Sequence, residues 1–485
     1  MQEWRTYQKP RRNTGCTTWL GVGLTLVAGL AILSSINSNP QNQYPYDTPY
    51  FVFDTDNGGV VPMPTFEPVP TDKVAPVPTD KVAPVPSLVP AAFPAKNPLV
   101  PVGALHQARA HHTATLLPNG KVIIAGGIST SKGAYAAIDS IESYDPKTRS
   151  FKPAGTLTTP RFYHTATLLE DGTILFAGGK DAENKPLATA EIYDPATGRS
   201  RPTGDMRSAR YAASAVALRA GLVFIVGGTD ENGPVSAAEM YDPLLDGFTS
   251  LGDLPFSGGN VTAVKFKDGR VLVAGGEEDT DVPTNLTTVY DPSQGSFDTT
   301  DGLMEAREDA TSCLLSDGRV LIVGGFGDTG LVNMTAEVQD PNSGATGDLI
   351  RLADLRAYGT TTALPDGSVL MVGGVDNNGS PIATVERYSP GQTESTPVGV
   401  MVEGRSGHTA TLLADGTVLI VGGLSAPLTA LADAGLYDPK AAPAASPSAS
   451  PAPSPSAKPT AQPSASRSAS PSARLSPSLP AASAT

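Results

Sequence analysis

The sequence predicts an all-β chain folded as a closed ring of seven four-stranded sheets, and three observations carry that prediction. Glycine doublets fall at Gly126-Gly127, Gly178-Gly179, Gly227-Gly228, Gly275-Gly276, Gly324-Gly325, Gly373-Gly374 and Gly422-Gly423, a beat of 48 to 52 residues. A second marker keeps the same beat, with Tyr-Asp-Pro starting at 144, 193, 241, 290 and 437 and the variants Gln-Asp-Pro at 339 and Tyr-Ser-Pro at 388. Ahead of six doublets stands a turn pair, Asn119-Gly120, Asp171-Gly172, Asp268-Gly269, Asp317-Gly318, Asp366-Gly367 or Asp415-Gly416, and only Ala220-Gly221 departs from it. Repeats of roughly 50 residues built from alternating strands are the range of propeller blades, in which each sheet buries its faces only against its neighbours.

Within one unit the strands follow from residue type. In His164–Leu169, Thr and Ala alternate with larger residues, and Asp171-Gly172 supplies the positive-φ positions of a tight hairpin turn. The run from Thr173 to Ala177 is apolar, β-branched and aromatic, as expected of a strand buried on both faces. The doublet ends that strand where backbone must bend or pack without a Cβ. Thr189–Asp194 is the third strand, closed by Pro195, and Ser150–Gly155 shows the short fourth.

This pattern resembles the kelch repeat in its bacterial form, with ATLLxDGxVLxxGG followed by AExYDP. The resemblance covers residues 99 to 439 in seven in-phase copies. It implies a seven-bladed kelch-type β-propeller of the galactose oxidase central-domain kind. One departure is visible: kelch repeats often carry Trp in the fourth strand, and here those places hold Phe151, Phe248 and Phe297, or small residues such as Ser200 and Thr346.

The seventh unit stops at Tyr437-Asp438-Pro439 without a fourth strand, whereas residues 99 to 109 align without a gap on 151 to 161. Residues 98 to 104 are therefore expected to add as the outer strand of the last blade, so that the ring is closed by its own N-terminal strand.

The 485 residues include 50 Gly and 45 Pro, which suits turn-rich β structure with disordered flanks. A net charge of −14 argues against nucleic acid, whose phosphates need a basic footprint. Residues 1 to 16 are basic and hydrophilic, and residues 17 to 36 carry no charge over 20 positions, enough for a helix to cross about 30 Å of hydrocarbon. A signal-anchor helix at 17–36, with the N-terminus cytoplasmic and the propeller extracellular at the cell membrane, is the expectation; a cleaved signal peptide competes with it. Residues 37 to 97 read as a Pro-rich spacer, 98 to 440 as the propeller, and 441 to 485 as a disordered Pro/Ser/Ala-rich tail. Cys16 and Cys313 fall on opposite sides of the anchor, so no disulfide is expected.

Candidate site residues lie at one end of the ring, where the first strand of each blade starts and the loop after each doublet emerges. Seventeen residues before six of the doublets stand Arg109, Arg161, Arg210, Arg307, Arg356 and Arg405, and fourteen residues before three of them stand His112, His164 and His408. A ring of guanidinium groups suits carboxylate ligands held in bidentate fashion. The competing reading is a structural tie to Glu142, Glu191, Glu239, Glu337 and Glu386, each two residues before the Tyr-Asp-Pro tyrosine or its substitute. Imidazoles at identical positions on adjacent blades suit packing better than one metal ion. Among the loops, Tyr135 is a candidate contact, and Glu277, Glu278, Asp279 and Asp281 form the densest acidic cluster, a weak cation candidate.

No G-x-S-x-G, HExxH or phosphate loop occurs in the sequence. The resemblance to galactose oxidase implies a copper-radical enzyme with His and Tyr ligands and a Cys-Tyr crosslink, but the propeller's single cysteine falls at a core strand position. The expected function is a membrane-anchored, monomeric module without a cofactor that binds protein or cell-surface glycan through the face bearing the Arg and His positions. A galactose-oxidase-like or other carbohydrate-active enzyme and a purely structural surface protein are the alternatives.

Overall fold

The computed structural model describes residues 97–131, 134–279, 282–340, 343–426 and 429–441. The expected anchor at 17–36, the basic segment before it, the spacer up to residue 96, the tail from 442 and Asp281 lie outside the described residues. Among the described residues, no helix is long and apolar enough to cross a membrane.

Seven four-stranded antiparallel sheets form a seven-bladed propeller. Blade 2 shows the plan: Thr165–Leu168 is innermost, followed outward by Ile174–Ala177, Ala190–Asp194 and Arg199–Pro202. The inner strands of successive blades touch around the whole ring, from Thr113–Leu116 through to Thr409–Leu412 and back. The second strand is buried along its length in every blade, as in Val122–Ala125, Val320–Val323 and Val418–Val421. Those strands face apolar neighbours on both sides, and the core is accordingly a set of clusters, each shared between adjacent blades. One joins Phe224 of blade 3 to Val273 and Tyr290 of blade 4, and another joins Leu105, Val122 and Tyr144 to Leu419 and Val421 of blade 7. Leu99–Pro101 is the outermost strand of the seventh sheet, with Leu99 opposite Tyr437 and Pro101 opposite Gly435.

The repeat residues hold these sheets in register. Asp171 Oδ1 accepts the Thr173 N–H at 2.9 Å across the hairpin turn, and Gly172 takes φ 85°. At the exceptional Ala220-Gly221, a short 3-10 turn, Arg219–Gly221, takes the place of the Asp-Gly turn while the hairpin is kept, with Ala220 at φ 60°. The Tyr-Asp-Pro tyrosines are buried, and the aspartate after each caps its turn, as Asp194 does for the Ala196 N–H at 2.8 Å.

The doublet is the joint between blades. Gly178 and Gly179 have φ 66° and 92°, which L side chains rarely adopt. A Cβ on Gly178 would lie 2.5 Å from the Arg210 carbonyl oxygen of the next blade, and one on Gly179 would lie 2.6 Å from the Phe162 carbonyl oxygen of its own. The close approach lets the Gly179 N–H donate to that Arg210 carbonyl at 2.8 Å. All seven doublets make the same bond, and the last of them, from Gly423 to Arg109 at 2.9 Å, joins blade 7 to blade 1.

Candidate functional site: the axial mouth

The six arginines are buried, none with more than 3 % of its surface exposed. Arg161 shows how their donors are used. Its Nη1 donates to the carbonyls of Gly178 at 2.8 Å and Thr189 at 3.0 Å, its Nε donates to Glu191 Oε1 at 3.0 Å, and its Nη2 lies 2.8 Å from the same oxygen. Glu191 in turn accepts the backbone N–H of Thr158 at 2.5 Å, clamping the segment that enters the blade. Arg109, Arg210, Arg307 and Arg356 pair in the same way with Glu142, Glu239, Glu337 and Glu386. Burial lowers the guanidinium pKa of Arg109, Arg161 and Arg210, and the paired glutamates act in the opposite direction. In blade 7, Gly435 occupies the glutamate position, and Arg405 turns to Asp433 at 2.6 Å. Blade 4 has neither member, holding Gly258 and Thr288 there. The guanidinium groups thus point into the blades, toward carboxylates of the fold.

His112, His164 and His408 are likewise buried, each reaching back to the preceding blade. Their Nε2 atoms lie 3.0 Å from the hydroxyls of Thr409, Thr113 and Thr360 respectively, and their Nδ1 atoms have no partner. Burial pushes the imidazoles of His164 and His408 down to about 3 and holds that of His112 well below the usual range. They peg three consecutive interfaces, 6/7, 7/1 and 1/2.

Between the Arg and His registers lies a position that the sequence reading did not single out. Fifteen residues before each doublet stand His111, Tyr163, Ala212, Asn260, Asp309, Tyr358 and Gly407. All seven adopt left-handed backbone, with φ between 49° and 59°. Six of them are not glycine, and each such residue costs on the order of 1–2 kcal/mol that the surrounding fold must impose. Backbone bonds run from one to the next around the axis: His111 N–H to Gly407 O at 2.8 Å, Tyr163 to His111 at 3.1 Å and Ala212 to Tyr163 at 2.9 Å. On the other side Gly407 donates to Tyr358 at 3.4 Å and Tyr358 to Asp309 at 3.5 Å. These bonds link six of the seven positions, all but Asn260, into a belt.

Each residue just before the belt pairs with the residue just after a doublet, in seven isolated bridges such as Phe162 with Lys180, Gly259 with Glu277 and Glu308 with Phe326. These pairs form the rim of an axial mouth. The rim and belt together hold Lys180, Glu277, Glu308 and Asp309 among Phe162, Tyr163, Tyr211, Phe326 and Tyr358. Lys180 Nζ sits 3.9 Å above the Tyr211 ring, and burial lowers its pKa to about 8. Tyr163 Oη lies 3.1 Å from His111 Nε2, the two rings have centroids 4.1 Å apart, and burial pushes the imidazole down to about 4.

The loops after the doublets fold back as hairpins over this face. Tyr135, the candidate loop contact, lies in the ribbon of blade 1, Ile128–Ser131 with Ala134–Ala137, opposite Thr130 and half-buried. The acidic cluster divides in the ribbon strand Glu277–Asp279: Glu277 is buried toward the axis, while Glu278 is exposed beside an off-axis cleft that Glu305, Asp328 and Asn333 also line. No group of three or more His, Cys, Asp or Glu able to hold a metal ion occurs among the described residues.

No family model and no curated protein matches the chain. Among solved structures, a fungal alcohol oxidase described as having catalytic diversity among the AA5 family, in complex with copper, superposes with a TM-score of 0.54. It is 19 % identical over 70 % of this chain and 75 % of that one. The likeness is one of fold, and it agrees with the kelch-type, galactose-oxidase-like propeller that the repeat resembles. Cys313 and the repeat histidines are not placed to supply the crosslink and imidazole ligands that the resemblance implies for such a copper site. Cys313 sits in the inner strand Thr311–Leu314 with its thiol pushed up to about 12 by burial, and the three repeat histidines bind threonine hydroxyls of neighbouring blades.

Proposed function

We propose that the chain is a binding module, anchored at a cell surface by residues 17–36, that engages a protein or surface glycan through the axial mouth and the loops after the doublets. The belt is the observation that carries this reading. Its side chains, like those of the rim, differ from blade to blade while the arginines, doublet glycines and inner-strand threonines around them repeat. It is also the register where non-glycine residues are held in left-handed backbone, the kind of imposed strain that accompanies functional sites. A scaffold residue repeats because every blade needs it, and a ligand contact need not.

On this reading the arginines and the buried histidines serve the scaffold, and contact passes to Phe162, Tyr163, Lys180, Asn260, Glu277, Glu308, Asp309 and Tyr358. The pairing of Leu99–Pro101 with the last sheet is taken as the clasp that holds the ring closed. The alternative, a carbohydrate-active enzyme, draws on the fold likeness to the copper-bound oxidase and on the His111–Tyr163 contact near the axis.

The test uses the full chain, immobilised and titrated with a panel of neutral, acidic and amino oligosaccharides and with basic and acidic peptides. Phe162→Ala and Asn260→Trp at the mouth are expected to abolish the binding found. Arg201→Ala, whose partner Asp246 follows a Tyr-Asp-Pro turn at the other end of the blade, should leave it intact. Binding that survives both mouth variants would overturn the reading, and so would stoichiometric copper in the purified chain.

A further inference from the structure

Four Asn-x-Ser/Thr triplets occur in the chain, starting at Asn260, Asn285, Asn333 and Asn378. Such a triplet offers an acceptor for an N-linked sugar, provided that it stands on an exposed loop and that its amide and hydroxyl are free. The fold has already used three of the four. Asn260 belongs to the belt, and the Thr262 hydroxyl, in an inner strand, bonds the Ser312 hydroxyl of the next blade. The Asn285 Nδ2 donates to the Leu303 carbonyl at 3.0 Å, and Thr287 is buried with its hydroxyl held by Thr300 and Gln339. The Asn333 Nδ2 donates to the Ala306 carbonyl at 2.9 Å, and the Thr335 hydroxyl is shared between Arg307 and Glu305.

Asn378-Gly379-Ser380 is different on each count. It lies in the loop after the blade 6 doublet, and Asn378 and Ser380 are both exposed. Among the described residues, neither the Asn378 amide nor the Ser380 hydroxyl has a hydrogen-bond partner. What holds this turn is backbone and a neighbouring carboxylate. Asp376 Oδ1 accepts the N–H groups of Asn378 at 2.8 Å and Ser380 at 2.9 Å, the Gly379 N–H donates to the Asp376 carbonyl at 3.0 Å, and Gly379 takes φ 70°. The adjacent Asn377 pins the loop to blade 5, its Oδ1 accepting the Val332 N–H at 2.7 Å. The turn is thus fixed from behind while the amide and hydroxyl are left to solvent. It is also the one triplet of the four with a carboxylate two residues ahead.

We propose that Asn378 carries an N-linked glycan. Its Nδ2 would form a bond to the anomeric carbon of a polyprenyl-diphosphate-linked oligosaccharide. The bond from that carbon to the diphosphate oxygen breaks, polyprenyl diphosphate leaves with the electron pair, and the amide proton passes to a base of the transferase. The inference rests on the cell-surface part of the reading above, since the acceptor must meet such a donor on the outer side of a membrane. The sugar would stand on the face that carries the axial mouth, on the blade 6 side, and would add no charge to it.

The test takes the full chain from the membranes of the cells that make it. Protease added to the intact cells shows whether the propeller is outside, and mass spectrometry of the tryptic peptide 357–387, in which Asn377 and Asn378 are the only asparagines, reads the modification. Expected are an accessible propeller, a hexose- or hexosamine-containing addition on that peptide, its complete loss in Asn378→Gln and in Ser380→Ala, and its retention in Asn285→Gln. Both loop variants should melt at the temperature of the parent chain, because the altered groups bond nothing in the fold. An accessible propeller whose peptide carries no sugar, whether unchanged or merely deamidated at Asn378, would overturn the inference and leave the binding-module reading standing. Sugar that persists in Asn378→Gln, or that sits on the peptides of Asn260, Asn285 or Asn333 instead, would overturn it as well. A propeller protected in intact cells would sink both.

Discussion

Replacing Arg161 with alanine separates a scaffold role from a ligand role. The side chain is fully buried and donates to two backbone carbonyls and to Glu191, which has no exposed surface of its own. Alanine would leave that carboxylate enclosed without its cation while it still holds the Thr158 N–H. Breaking one partner out of a buried pair costs about 3–5 kcal/mol, against 0–1 kcal/mol for an exposed pair such as Arg201 with Asp246. Urea unfolding of the full chain, followed by far-UV circular dichroism, should therefore show a large drop in midpoint for Arg161→Ala and almost none for Arg201→Ala. The double change Arg161→Met with Glu191→Leu removes both charges and should recover most of the loss. A cost below about 1 kcal/mol for Arg161→Ala, with ligand binding abolished, would refute the scaffold assignment and return the arginines to the site.

Three further outcomes follow from the same geometry. The depressed imidazoles of His164 and His408 favour the neutral form in the fold, so their contribution is complete above the unfolded value near 6.5 and is lost as pH falls toward about 3. His164→Gln, which keeps a donor near the Nε2 position, should flatten the decline of the urea midpoint between pH 6.5 and 4, and an unchanged slope would contradict the peg role. Gly178→Ala should cost at least about 2 kcal/mol, because it adds left-handed strain to a clash with the Arg210 carbonyl, and a neutral effect in urea unfolding would contradict the joint described above. With its thiol pushed up to about 12, Cys313 should resist alkylation at pH 8 in the native chain and react promptly in urea; rapid native labelling would place it outside the inner strand.

The sequence by itself determined the architecture, because every element of a blade is a local pattern repeated seven times. The doublets, the Asp-Gly turns and the Tyr-Asp-Pro markers each act within a few residues, and the period converts them into a ring. The Arg–Glu tie was legible as one of two readings, since an arginine recurring in step with a glutamate fits a structural tie as readily as a site. What the sequence could not separate was scaffold from site at the arginine and histidine registers. Both readings predict the same residues, and only burial and hydrogen-bond partners distinguish them.

The belt was hidden for the opposite reason. His111, Tyr163, Asn260, Asp309 and Tyr358 follow no common residue type, so a search for recurrence passes over them. Their meeting on the axis is a product of ring closure, which brings residues about 50 positions apart into hydrogen-bond contact. The left-handed backbone at that register, the turn of Glu277 over Gly259 and the peg from His112 to Thr409 across the 7/1 joint depend on neighbouring blades being in place. Repetition along the chain specifies the blades, and what their edges present to one another around the axis is decided only when the ring is assembled.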